Sequence, residues 1–203
     1  MEVREAMRQI SDIRRQMART EIFRGYRSAT VGVSALLGIL AALFQSKIVP
    51  SPTTDIERYL LLWVGVAAVS VMMAGVELCW GWFRSGPGLS RELTRLAISQ
   101  FVPCLIVGGL LTLSIYRAAP QVGWMLPGLW SFVFALGVFA SFRLLPPQTY
   151  WIGSYYVLCG VVCLLFGQGQ QALAPWQMGV TFGGGQGMSA MILYWTLERN
   201  DAS

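Results

Sequence analysis

The sequence predicts an all-α integral membrane protein, a bundle of six transmembrane helices that follows an amphipathic helix at the N-terminus. The chain has 203 residues, of which 55% are hydrophobic and 12% are charged, whereas soluble domains carry about 25% charged residues. Its apolar runs are each close to the roughly 20 residues that a spanning helix needs. The basic residues are concentrated in alternate loops between those runs.

Each predicted span is a long apolar run that ends at charged or helix-breaking residues. The first is bounded by Arg27 and Lys47, and the fourth ends at Arg143, before two prolines that cannot continue a helix. Glycine and glutamine dilute the hydropathy of the last two runs. The spans form a membrane domain over residues 28–199, followed by a short tail, 200–203. In chain order the predicted spans are 28–46, 59–83, 96–116, 124–142, 150–167 and 176–197.

The positions of lysine and arginine predict the orientation, because short cytoplasmic loops are enriched in both. With six spans, the N-terminal segment, the second and fourth loops and the C-terminus share one side of the membrane. They carry 12 of the 15 basic residues, and the first and third loops carry the other 3. We therefore expect both termini in the cytoplasm, at a bacterial plasma membrane.

Residues 1–27 precede the first span and predict an amphipathic cytoplasmic helix. Two heptads make a marginal helix by themselves, so its apolar stripe needs a surface to cover it. Three surfaces remain open: the lipid interface, which attracts an arginine-rich amphipathic helix, the cytoplasmic loops of the chain itself, or a helix of a partner protein. The stripe recurs with the three-and-four spacing of a helix at Val3, Ala6, Ile10, Ile13 and Met17.

Three polar side chains within the apolar runs form a candidate intramembrane polar site: Glu77, Gln100 and Gln186. A charge in hydrocarbon is costly, so Glu77 is expected to have a partner or a function. One interpretation pairs it with a cytoplasmic-end arginine, such as Arg84 two helical turns away, or with a neighbouring helix. The other interpretation is a proton or cation site. Both glutamines are expected to face the bundle interior, where an amide hydrogen-bonds to another helix.

The sixth run contains a predicted helix-packing face. Gly179, Gly183 and Gly187 are four residues apart, so one side of this helix is bare backbone that admits a close neighbour. The neighbour is either another helix of the bundle or a second copy of the chain. The first run has a similar series of small residues: Ser34, Gly38 and Ala42.

Aromatic residues cluster at the predicted span ends, and we interpret them as interface belts. A second interpretation is that several tryptophans on the outer side line a shallow pocket for an apolar or cationic solute. The belt residues include Tyr59, Trp63, Trp80, Trp124, Tyr150, Trp151, Trp176, Tyr194 and Trp195.

The sequence contains no histidine, which excludes haem ligation by histidine, zinc sites with histidine and Ser-His or Cys-His catalysis. The 4 cysteines all fall within apolar runs, where a thiol behaves as a small buried hydrophobe. We therefore predict no enzyme activity, no metal site and no cofactor. Membrane topology, rather than nucleic-acid binding, explains the net charge of +5, because the arginines flank apolar runs.

Two functions fit these predictions. The first is a non-catalytic binding, regulatory or scaffold component of a membrane complex, which docks a protein partner or a second copy through the N-terminal helix or the sixth span. The second is small-solute transport or capture. In size, span number and orientation the chain resembles the substrate-capture subunits of energy-coupling-factor vitamin transporters, which implies a substrate-binding role. The sequence identifies neither a ligand nor a partner.

Overall fold

The computed structural model of the chain describes residues 28–84, 89–142 and 147–198. The predicted tail 200–203 lies outside these ranges. So does the predicted N-terminal helix with its apolar stripe Val3, Ile10, Ile13 and Met17.

The described residues fold as helices and turns, without a β-strand. Five segments are long and apolar enough to cross a membrane, which confirms the all-α class and a series of apolar spans. Each overlaps one of the first five predicted runs. The helices are α1 Ser28–Ile48, α2 Ile56–Arg84, α3 Leu89–Ala118, α4 Leu126–Ala140, which follows a 3-10 turn at Pro120–Met125, and α5 Thr149–Phe166.

The sixth predicted span, 176–197, is helical but is not one regular α-helix. A π turn closes hydrogen bonds between residues five apart and is wider than an α turn. This segment is not among the five that are long and apolar enough to cross a membrane, because glycine and glutamine lower its mean hydropathy. The helical run 175–198, named α6, comprises α-helix at Pro175–Met178, π-helix at Gly179–Gly184, α-helix at Gly185–Leu193 and π-helix at Tyr194–Glu198.

The helices pack in the spatial order α2, α1, α6, α5, α4, α3. Helix α1 lies between α6 and α2, α5 lies between α6 and α4, and α3 packs on α4. Few contacts join α2 to α3, although they are consecutive in the chain. In the most apolar stretch of α3 no residue is buried, and in that of α2 11% of the residues are buried. The corresponding share is 44% for the segment that contains α4. The outward sides of α2 and α3 are therefore the least covered part of the described bundle.

The apolar core has two main clusters. One lies where α1, α2 and α6 meet the loop before α6, and it contains Tyr59, Trp63 and Leu173. The other lies between α4, α5 and α6 around Ala135 and Tyr156. The partly buried ring of Phe182 packs against both clusters and joins them.

The glycines of α6 lie against α1. A Cβ atom at Gly183 would lie 2.7 Å from Cγ1 of Ile39, and one at Gly179 would lie 2.7 Å from Cβ of Ala42. Glycine at both positions therefore lets the two helices approach closely. At Gly187 the space is wider. In the structure, the neighbour on this face is a helix of the same chain.

Candidate functional site

The three polar residues of the predicted intramembrane site do not form one site. Glu77 lies on α2, Gln100 on α3 and Gln186 on α6, and no hydrogen bond joins any two of these side chains. Each is half-buried. Both carboxylate oxygens of Glu77 and the Oε1 atom of Gln100 are shielded from solvent and have no hydrogen-bond partner in the part of the chain that the structure describes. The side chain of Arg84, one predicted partner of Glu77, lies outside the described part.

Two residues assigned to an interface belt are instead buried in the core, so that assignment is wrong for them. Tyr59 and Trp63 are 0% and 2% exposed. Their position near the start of a span suggested an interface, but both face α1 and the loop before α6. By contrast, Trp80, Trp151 and Trp195 are exposed near helix ends.

Gln45, near the end of α1, forms a buried hydrogen-bonded connection that the sequence analysis missed. It is 1% exposed. Its Nε2 donates to the carbonyl oxygen of Leu173 at 2.7 Å, and its Oε1 accepts from Nε1 of Trp63 at 3.0 Å. One amide thus joins α1, α2 and the loop before α6. Leu173 has a φ of 58°, a left-handed conformation that costs free energy in a residue other than glycine.

The same loop is held from its other side by the start of α6. Gln177 donates from Nε2 to the carbonyl oxygen of Gln171 at 2.7 Å, and Trp176 donates from Nε1 to Oε1 of Gln171 at 3.0 Å. Together with Gln45, these bonds fix the loop across one end of the bundle.

A buried polar cluster lies beneath this loop and consists of Tyr59, Cys163, Gln177 and Thr181. The Sγ atom of Cys163 lies 4.0 Å from the carbonyl oxygen of Gln177 and 3.8 Å from Oγ1 of Thr181. Tyr59 belongs to the same packed cluster as Leu173 of this loop and Met178, the residue after Gln177. The Tyr59 hydroxyl and the Oε1 of Gln177 have no hydrogen-bond partner among the described residues. The cluster therefore has one unused donor and one unused acceptor.

A second candidate lies on the outer surface. Gly65 and Gly75 of α2 and Gly109 of α3 each have open space where a Cβ would be, with no atom within 4 Å. The glycines of α1, α4, α5 and α6, and Gly108 of α3, each meet a neighbouring atom within that distance. We name the bare backbone at these three positions the outer notch. Its flanks are exposed apolar residues, among them Val64, Ile106 and Leu110.

The hydroxyl of Tyr116 donates to Oε1 of Glu57 and joins α3 to α2. Gly65 is eight residues from Glu57, and Gly109 is seven residues from Tyr116. At 1.5 Å per residue, the two glycines lie about 12 and 10 Å from this hydrogen bond, at nearly the same level of the bundle. Gly65 and Gly109 are therefore at one level of the bundle, whereas Gly75 lies ten residues, about 15 Å, farther along α2.

The cytoplasmic half of α3, in the predicted orientation, carries an open groove. It is lined by Arg95, Ile98, Ser99, Val102 and Pro103. The described residues contain no group of histidine, cysteine, aspartate or glutamate arranged to hold a metal ion.

The chain matches no protein-family model, no curated protein and no solved structure. Its function is therefore inferred from its own geometry.

Proposed function

We propose that the chain is a non-catalytic membrane protein that binds another membrane protein through the outer notch, as a regulatory or scaffold component. In this proposal it has six spans, with both termini in the cytoplasm of a bacterial cell. The observation that carries the proposal is the bare backbone of Gly65, Gly75 and Gly109 on the least covered side of the bundle.

Two observations support the six-span topology. The helical run 175–198 is comparable in length to the other five segments. With a sixth crossing, 12 of the 15 basic residues fall on one side, as the enrichment of lysine and arginine in cytoplasmic loops requires. Removing one crossing would move Arg199 to the opposite side. Single-cysteine labelling from outside intact cells tests this: labelling at position 51 but not at position 200 is expected, and labelling at both positions contradicts the topology.

The notch supports partner binding because transmembrane helices associate by close backbone approach at small residues. Glycine is a poor choice for a helix position that only faces lipid, since it lowers helix stability by about 1 kcal/mol relative to alanine. The glycines at the α1–α6 contact admit a neighbouring helix. Those of the outer notch have none within the described part of the chain, and a transmembrane helix of a partner fills that space.

Adding bulk at the notch separates partner binding from folding. We expect Gly65→Leu and Gly109→Leu to fold normally, because both positions have open space. Each is expected to lose the protein that co-purifies with the native chain in mild detergent. Ala140→Leu, which adds similar bulk at an exposed position of α4, is the matched control and keeps that protein. Equal recovery with all three variants, or no specific partner with the native chain, contradicts the proposal.

A second candidate function, small-solute capture, is favoured by the unused hydrogen-bonding groups of the buried polar cluster. Thermal-shift screening against vitamins and cationic drugs distinguishes the two functions, because a ligand that binds the folded state raises its midpoint. A shift abolished by Tyr59→Phe but not by Gly109→Leu would favour solute capture.

A further inference from the structure

The open groove on α3 has a charged end and an otherwise mainly apolar lining. Its volume is about 410 Å³, and its described lining consists of Arg95, Ile98, Ser99, Val102 and Pro103. These positions recur with the three-and-four spacing of one helix face. At 1.5 Å per residue the groove extends about 12 Å along α3, from a guanidinium to a proline ring.

The groove crosses the level at which the apolar span of α3 begins. That span comprises Ile98–Ala118, so Arg95 is three residues, about 4.5 Å, before its first residue. Basic residues that flank a span lie at the level of the lipid headgroups, and the apolar residues of the span lie at the level of the acyl chains. One end of the groove is therefore at headgroup depth and the other is at acyl-chain depth.

The groove is open to the surroundings of the described bundle. Arg95 is exposed and forms no ion pair with a described residue. Ile98 and Val102 are 42% and 40% exposed. The hydroxyl of Ser99 donates to the carbonyl oxygen of Leu96 at 2.8 Å, within the same helix. The guanidinium is therefore the only charged group in the described lining, and a molecule that fills the groove must complement a cation at one end and apolar side chains at the other.

We propose that the groove binds one anionic phospholipid, with the lipid phosphate on the guanidinium of Arg95 and an acyl chain along Ile98, Val102 and Pro103. A guanidinium binds phosphate through two parallel hydrogen bonds. An anionic lipid fits better than a zwitterionic one, because a zwitterionic lipid carries its own cation beside the phosphate. A free phosphate leaves the apolar part of the groove unfilled. The proposal does not depend on partner binding at the outer notch.

Native mass spectrometry tests the charge of the bound lipid. The whole chain is released from nanodiscs that contain equal amounts of phosphatidylglycerol and phosphatidylcholine. We expect one retained lipid, with about a fivefold preference for phosphatidylglycerol, which is the order of attraction that one arginine gives near an anionic surface. Arg95→Gln loses this preference. Arg117→Gln, the matched control, removes an exposed arginine at the opposite end of the same helix and keeps it. No preference with the native chain, or the same result with both variants, overturns the proposal.

Added bulk tests the position of the acyl chain. Val102→Trp fills the apolar part of the groove and leaves Arg95 in place, so we expect it to lose the retained lipid. Val107→Trp adds the same bulk at a 53% exposed position of α3 outside the groove and keeps the lipid. Both variants are expected to fold, because both positions are exposed. Retention of the lipid by Val102→Trp overturns the proposal.

A competition experiment distinguishes a lipid site from a phosphate site. Glycerol 3-phosphate has a phosphate but no acyl chain, and we expect it to leave the retained phosphatidylglycerol in place. Displacement of the lipid by glycerol 3-phosphate at equal concentration would indicate a site for free phosphate and overturn the proposal. None of these results bears on the protein that co-purifies through the outer notch.

Discussion

Replacing Gln45 by methionine tests the connection that holds the loop before α6. Methionine has a similar volume and shape, so the change removes hydrogen bonds with little loss of packing. It strands the carbonyl oxygen of Leu173 and the Nε1 of Trp63, both in buried residues. Interhelical hydrogen bonds in membranes contribute about 0.6 kcal/mol on average, and a stranded buried group costs about 1–3 kcal/mol. We therefore expect the loss of both bonds to lower the free energy of unfolding by about 2–4 kcal/mol.

The assay is reversible unfolding in mixed micelles with increasing denaturing detergent, followed by tryptophan fluorescence. Gln148→Met is the matched control, because Gln148 is exposed in the described structure and surface changes stay within about 0.5 kcal/mol. A double-mutant cycle with Trp63→Phe should show coupling, since both changes break the same bond. If Gln45→Met lowers the free energy of unfolding as little as the control does, or if the two effects in the cycle are additive, then Gln45 does not join α1, α2 and the loop before α6 as described.

Two further substitutions test the packing and the charge of the bundle. Gly183→Ala is expected to lose about 1–3 kcal/mol of stability by overpacking, because its Cβ would lie 2.7 Å from Ile39, whereas Gly109→Ala loses none in the same unfolding assay. Glu77→Gln is expected to raise the thermal midpoint, since it removes a carboxylate whose oxygens are shielded and accept no hydrogen bond from the described residues. A fall with Glu77→Gln would mean that the carboxylate has a partner in the remaining part of the chain or in the membrane.

The apolar spans could be predicted from the sequence because the length and charge of a run depend on local composition alone. The ends of α1, α2 and α5 lie within a few residues of the predicted runs. The π turns of α6 could not be predicted, since the hydropathy of a run does not report whether its backbone bonds join residues four or five apart. The glycines of this run gave the one available signal of irregular packing.

The buried polar groups were harder to predict, because their roles depend on contacts distant in sequence. Gln45 lies near the end of an apolar run, where a polar residue ordinarily marks the membrane boundary, and its acceptor at Leu173 is 128 residues away. Tyr59 and Trp63 lie near a span end, as belt aromatics do, and only the fold of the loop above them buries both. Sequence hydropathy similarly could not distinguish Gly109, which faces open space, from Gly183, which contacts α1.

Photo-crosslinking at the outer notch tests the proposed function most directly. A photoreactive amino acid is placed at Leu110, beside Gly109, or at Leu165 of α5, and the chain is irradiated in its native membrane. Both side chains are exposed and apolar, at 59% and 68%, so a chain surrounded only by lipid gives the same result at both positions. We predict one discrete protein adduct at position 110, lost when Gly109→Leu is added, and lipid adducts alone at position 165. Lipid adducts alone at both positions would contradict the account.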